Sequence, residues 1–180
     1  MAKTRAAANA RDGLAASMIM AAGIEEKIGA PRFGFRIECR DRSGRLKWVE
    51  DVKNLVTTEG GNDLIDKYFK GSAYTAAWYL MLAGVGTKAI GDTLASHAAW
   101  AEVTPYAGTR PAITFGTTSA KSNTATVVAY TINATATVAG AAIVSVNTGT
   151  AGKLYSVSDF AAARSVVSGD TLNVTPTVSV

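Results

Sequence analysis

The 180 residues are 48% hydrophobic with a formal net charge of +4, enough for one core-bearing domain and contrary to a disordered chain. A single cysteine, Cys39, excludes an intrachain disulfide and a cysteine-based four-ligand zinc site, and it fits a reducing cytoplasm. The charge is unevenly placed: residues 1–54 hold eleven Lys/Arg against seven Asp/Glu, residues 55–180 hold seven of each, and only five charged residues fall after position 110.

Residues 1–30 read as an arm. It opens with Lys3, Arg5 and Arg11, and Leu14, Met18 and Ile28 then follow helical spacing, interrupted by Gly13 and Gly23. The apolar run at residues 13–24 is too short for a membrane-spanning helix, which needs roughly twenty residues. Asp12 and the charged stretch that follows count against a secretory leader. The arm is expected to become ordered only on assembly, because its apolar face is assigned no partner within the chain.

Residues 31–180 read as the folded body. Phe33, Phe35, Ile37 and Cys39 alternate with Gly34, Arg36, Glu38 and Arg40, the period of a half-buried strand. The "DRSG" turn leads to a second strand through Leu46, Trp48 and Val52, giving a hairpin over residues 33–53 with ten charges expected on its outer face. A helix is predicted over residues 57–70, with Thr57 or Thr58 as cap, Glu59 in the first turn and Gly71 as stop. Leu64, Ile65, Tyr68 and Phe69 share one of its faces, and Leu55 or Val56 is placed to staple the cap.

Strands are predicted across residues 76–180. The run "AAWYLMLAGV" suggests a buried strand, and "GDTLASHAAW" a short helix followed by a loop and a strand near Ala112. Thirteen of the last seventy residues are Thr, suited to the outer face of a pleated sheet. The uncharged passage "TINATATVAGAAIVSV", residues 131–146, reads as two strands or one bulged near Gly140. Uncharged, β-prone edges are a hazard for a free monomer, so this passage leans towards a subunit that assembles. The expected fold is mainly β: an antiparallel sandwich of jelly-roll or immunoglobulin-like type with one short helix.

Motifs for chemistry are sparse. His97 has Ser96 and Asp92 nearby but no nucleophile elbow, and a lone His is more often a structural hydrogen-bonding residue. The carboxylate pairs Glu25/Glu26, Glu50/Asp51 and Asp63/Asp66 read as solvated faces. The metal-ligating residues lack a calcium-loop pattern, and the "AGVG" at residues 83–86 lacks the remainder of a dinucleotide fingerprint. No catalytic residue, cofactor or metal is assigned. Three basic residues in the arm are few for nucleic acid, so protein docking is the preferred role and no membrane partner is expected. Trp78, Trp100, Tyr74 and Tyr106 are the aromatics that a glycan-binding sandwich would display.

From "LKWVEDVKNLVTTEGGNDLIDKYFKG" through "WYL", "GDTLASHAAWAEVTPY" and "RPAITFG" to the closing "SGDTL" strand, the chain resembles small virion proteins of tailed bacteriophages. The resemblance covers roughly residues 45–180 and leaves out the arm. It implies a non-enzymatic building block of the virion, assembled in the host cytoplasm. The most concrete form is a head decoration or cement protein contacting the major capsid protein or other virion proteins, and expected to form a homo-oligomer. A collar, tail or fibre-attachment protein is the alternative. The expected contacts are Lys3, Arg5, Arg11, Leu14, Met18 and Ile28 in the arm, then Arg40, Arg42, Arg45 and Trp48 in the hairpin. Among these the apolar anchors Met18 and Trp48 are expected to outweigh any single rim charge.

Overall fold

The computed structural model describes residues 31–74 and 77–180. The arm, with Lys3, Arg5, Arg11, Leu14, Met18 and Ile28, lies outside the described residues. Strand β1 (Arg32–Arg40) follows the predicted alternation, with Phe35, Ile37 and Cys39 buried and Arg36 exposed. Asp41 organises the turn after it. Its Oδ1 accepts from the Ser43 N–H at 2.9 Å, the Ser43 hydroxyl at 2.6 Å and the Arg45 N–H at 3.0 Å. Gly44 supplies the left-handed residue, at φ +83°. Strand β2 (Leu46–Lys53) then returns antiparallel to β1.

On its other side β1 pairs along its whole length with β11 (Thr171–Ser179), so the chain's last strand is central to the first sheet. The far edge of β11 is shared. Strand β6 (Val128–Thr131) pairs with it through Val174, and β5 (Ser122–Thr124) takes over from Thr177. Pro176 falls at this change of partner, where a residue with no N–H to donate disturbs the ladder least. Its carbonyl accepts from the Ala125 N–H at 2.9 Å.

The second sheet runs β3 (Leu55–Val56), β9 (Leu154–Val157), β8 (Gly140–Val144), β4 (Tyr79–Ala83), all antiparallel. A two-stranded pairing of β7 (Ala136–Val138) with β10 (Arg164–Val166) completes the set. The two larger sheets enclose one core as a β-sandwich. Phe35, Ile37, Leu172 and Val174 from the first meet Leu80, Leu82, Ile143 and Tyr155 from the second. The second sheet is covered on its other face as well, where Leu94 and Trp100 pack on Met81, Ala142, Val144 and Leu154. Burial on both faces is why β4 and β8 are uninterrupted apolar runs rather than alternating ones.

That arrangement corrects only part of the reading of residues 131–146: β6 and β7 each have a single strand partner and Thr131, Thr135 and Thr137 are exposed, whereas β8 is not an edge. The passage does form separate strands, ending β6 and then giving β7 and β8, but β8 lies inside its sheet between β9 and β4 and is buried throughout. Its lack of charge reflects burial within the monomer, not an edge awaiting a neighbour. Gly140 is required there, since a Cβ would stand 2.0 Å from the Ser158 carbonyl oxygen. Two further expectations fail. Residues 90–99 form single turns rather than a short helix, with Thr93 and His97 carbonyls accepting from the N–H groups of Ser96 and Trp100. Ala112 and Phe115 make isolated bridges rather than a strand.

Candidate interaction surface

The predicted helix is present as α1 (Thr58–Tyr68), and local chemistry explains its limits. Thr57 caps it, accepting from the Gly60 N–H at 3.0 Å, and Gly71 at φ +71° follows its end. The proposed staple is absent for a simple reason. The position that would meet Val56 is Gly61, which has no side chain.

The helix is fastened by its first turn. The Thr57 hydroxyl donates to the Leu154 carbonyl, and the Thr57 N–H to the Tyr155 carbonyl at 3.1 Å. Glu59 Oε2 accepts from the Leu154 N–H at 2.8 Å and the Leu94 N–H at 3.2 Å. Gly60 lies directly on β9, where a Cβ would fall 2.4 Å from the Tyr155 carbonyl oxygen. The Tyr155 hydroxyl donates to Asp63, and burial, then this bond, pushes that phenol's pKa upward. Gly60 is the buried residue of the helix.

A polar, glycine-faced seat leaves the apolar face of α1 pointing outward. Ile65, Tyr68 and Phe69 are 57%, 78% and 79% exposed, and Leu64 is exposed beside them. The Tyr68 and Phe69 rings meet edge to face with centroids 4.9 Å apart. Tyr74, also exposed, continues the patch and leans on Trp78 at 6.3 Å. Exposed apolar side chains grouped in this way are the feature of the described residues that most invites contact with a partner or ligand. The sequence placed these side chains on one face but not outward. The available signal was the pair Gly60–Gly61, which gives the opposite face no bulk to bury.

The hairpin is less bare than its composition suggests. Arg36 pairs with Asp51 at 3.1 Å and Glu38 at 3.3 Å. Arg40 reaches Glu38 at 3.1 Å and the Gly44 carbonyl at 3.1 Å. Arg45 pairs with Asp41 at 2.9 Å, and bonds from Ser43 and then Arg45 hold the Asp41 carboxyl well below the usual range. Arg42 is exposed with its stem beside Gly169, where a Cβ would lie 3.4 Å from Arg42 Cδ. Glu50 does not belong to the outer face. It accepts from the Ala161 N–H and pairs with Arg164 at 3.2 Å. Trp48 also turns inward, packing on the core beside Phe160 at 6.1 Å with the Arg164 guanidinium 5.5 Å from its ring centre. The structure therefore commits much of Trp48 to the fold rather than to an outside contact.

The remaining sequence candidates are structural in their surroundings. His97 stacks on Trp100 at 4.1 Å and its Nδ1 lies 3.0 Å from the Trp100 carbonyl. Asp92 accepts from the Trp100 indole at 2.8 Å and the Ala89 N–H at 2.9 Å, so it is turned to those groups and not to His97. Residues 83–86 form a turn, with Gly86 at φ +135°. Of the aromatics considered for glycans, Trp100 and Tyr106 are buried, and Trp78 packs edge-on against Tyr155 at 4.2 Å. Only Tyr74 of these four is exposed.

Three buried polar groups escaped the sequence reading. Arg110 donates to Glu102 through two bonds of 2.8 and 2.7 Å, and to the carbonyls of Val146 at 3.1 Å and Gly149 at 2.9 Å. Lys88 pairs with Asp159 at 2.8 Å and donates to the carbonyls of Gly84 and Gly86. Asp170 pairs with Lys47 at 2.5 Å and accepts from the Val167 N–H at 3.0 Å. Burial alone would raise the Asp170 carboxyl, but Lys47 and Val167 outweigh it and the net shift is downward. Each group pins a loop to the sandwich. No protein-family model, curated protein or solved structure matches the chain.

Proposed function

We propose that the chain is a non-enzymatic structural protein of a tailed-bacteriophage virion, a decoration or cement protein that bridges capsid subunits. The observation that carries the assembly role is the outward apolar face of α1, where Ile65, Tyr68 and Phe69 are more than half exposed. The likeness of residues 45–180 to small virion proteins supplies the setting. In this reading the α1 face provides the apolar anchor, while Lys3, Arg5 and Arg11 of the arm and the rim arginines Arg40, Arg42 and Arg45 orient it. Aromatic side chains dominate interface energies, so Tyr68 and Phe69 replace Trp48 as the anchors of the body.

The test is binding of a Tyr68→Asp/Phe69→Asp double variant to particles lacking this protein. Both side chains are exposed, so the variant keeps the native melting temperature within about 2 °C. Occupancy is expected to fall at least tenfold. Undiminished binding would remove α1 from the interface. Particles that bind neither native protein nor variant would count against the virion role itself.

A further inference from the structure

Between the two larger sheets and α1 lies a cavity of about 290 Å³ whose wall is almost wholly apolar. Phe33 and Val178 line it from the first sheet, Ile143 and Tyr155 from the second. Trp78, packed edge-on against Tyr155, adds a further aromatic ring. The space persists because α1 presents Gly60 and Gly61 here instead of side chains. Unfilled, it forfeits dispersion contacts along its lining.

The polar atoms of the wall narrow what could occupy it. The Tyr155 hydroxyl is already turned to Asp63. Asn123 also belongs to the wall, and its Oδ1 is buried with no hydrogen-bond partner among the described residues. Its Nδ2 donates to the Gly116 carbonyl and the Thr118 hydroxyl, both at 2.9 Å, so the oxygen is the acceptor left over. A water molecule needs two to four polar partners, and a lone acceptor in an apolar wall is a poor seat for one. No charged residue lines the cavity among the described residues, so an ion would stay uncompensated. A pure hydrocarbon would fill the volume but leave Oδ1 unpaired, which is costly for a buried acceptor.

We infer that the cavity is a binding site for a small, neutral, fused-ring aromatic molecule carrying a single hydrogen-bond donor, of the indole type. An apolar void of about 150 Å³ takes a benzene ring, and this one is roughly twice as large, the room that two fused rings require. Rings of Phe33, Trp78 and Tyr155 supply edges and faces for stacking, and the donor satisfies Asn123 Oδ1. An apolar pocket with one placed polar group is the usual form of a small-molecule site. The assignment does not depend on the virion reading, and it uses the inner side of α1 rather than its exposed face.

The test is calorimetric titration of the full-length protein with indole and with 1-methylindole, which lacks the N–H. Indole is expected to bind with a Kd below about 1 mM, and 1-methylindole about tenfold more weakly. Gly61→Leu supplies a blocking variant, because Gly61 lines the cavity and a Cβ there would meet nothing within 4 Å. It should weaken indole binding at least about tenfold while holding or raising Tm, leucine being the better helix former. Tyr68→Asp/Phe69→Asp, which alters only the outer face, should leave indole affinity unchanged. No binding of indole by the native protein, or undiminished binding by Gly61→Leu, would overturn the site. Equal affinity for the two ligands would overturn the role of Asn123 and with it the ligand class. Loss of indole binding in the Tyr68/Phe69 variant would place the ligand on the exposed patch and refute the cavity.

Discussion

Replacing Arg110 by Met tests whether the segment over the second sheet is held by one buried ion pair. The Arg110 side chain is 5% exposed and makes two bonds to Glu102 and two to loop carbonyls. Those Glu102 bonds, opposed by burial, hold the guanidinium in its charged form. Methionine keeps most of the stem's packing but strands the Glu102 carboxylate and the carbonyls of Val146 and Gly149. Breaking a buried pair by removing one member costs 3–5 kcal/mol in general. Glu102 retains partial access to water at 23% exposure, so the lower end applies here, about 3 kcal/mol. For a chain of this size that corresponds to a fall in Tm of roughly 6–12 °C. Arg110→Lys should lie between, keeping a charge but losing the planar fork. The double variant Arg110→Met/Glu102→Leu should recover part of the loss, because no charge is left stranded. Urea unfolding followed by tryptophan fluorescence measures these four proteins and the Glu102→Leu single variant that completes the cycle. A loss below about 1 kcal/mol for Arg110→Met, or strict additivity in the double variant, would refute the reasoning.

Gly60→Ala should destabilise despite alanine's better helix propensity, because its Cβ would meet Tyr155 backbone atoms at 2.4 and 2.5 Å. The expected net loss is about 1–2 kcal/mol by thermal unfolding, and a gain in stability would contradict the direct seating of α1 on β9. Burial, followed by the neighbouring Asp170 charge, raises the Cys39 thiol from 9.0 to about 11. The unfolded chain then loses its proton first, so this contribution is complete below about pH 9 and lost as pH rises towards 11. Lys47, raised by its bond to Asp170, acts in the same direction at alkaline pH. Cys39→Ala should therefore show a shallower loss of stability than the native protein between pH 9 and 11, and parallel curves would count against it.

What could be read locally was read well. The alternation from Phe33 to Cys39 identifies β1 because each side chain's face depends only on the strand period. Thr57 caps α1 because the bond to the Gly60 N–H spans three residues. Two local expectations failed, the staple at Gly61 and the short helix over residues 90–99, and the remaining failures turn on long-range partners. Residues of β8 carry the same apolar signal whether they sit at an edge or between β9 and β4, and only the pairing distinguishes the two. The sequence put Tyr68 and Phe69 on one face without saying which way it points, and that is decided by the helix resting on a glycine. Trp48 and Glu50 sit among exposed residues of a charged strand, yet both are claimed by Phe160, Ala161 and Arg164, more than a hundred positions away. Arg110 looks like a loop arginine because its four acceptors come from two other segments.

The central claim is that this protein is a stoichiometric part of the virion surface. Quantitative mass spectrometry of purified particles, scaled to the major capsid protein, tests it most directly. The account predicts a copy number equal to that of the capsid protein or a simple fraction of it. A count of six or twelve would move the protein to the collar or tail, against the cement role. Absence from the particle would contradict the account as a whole.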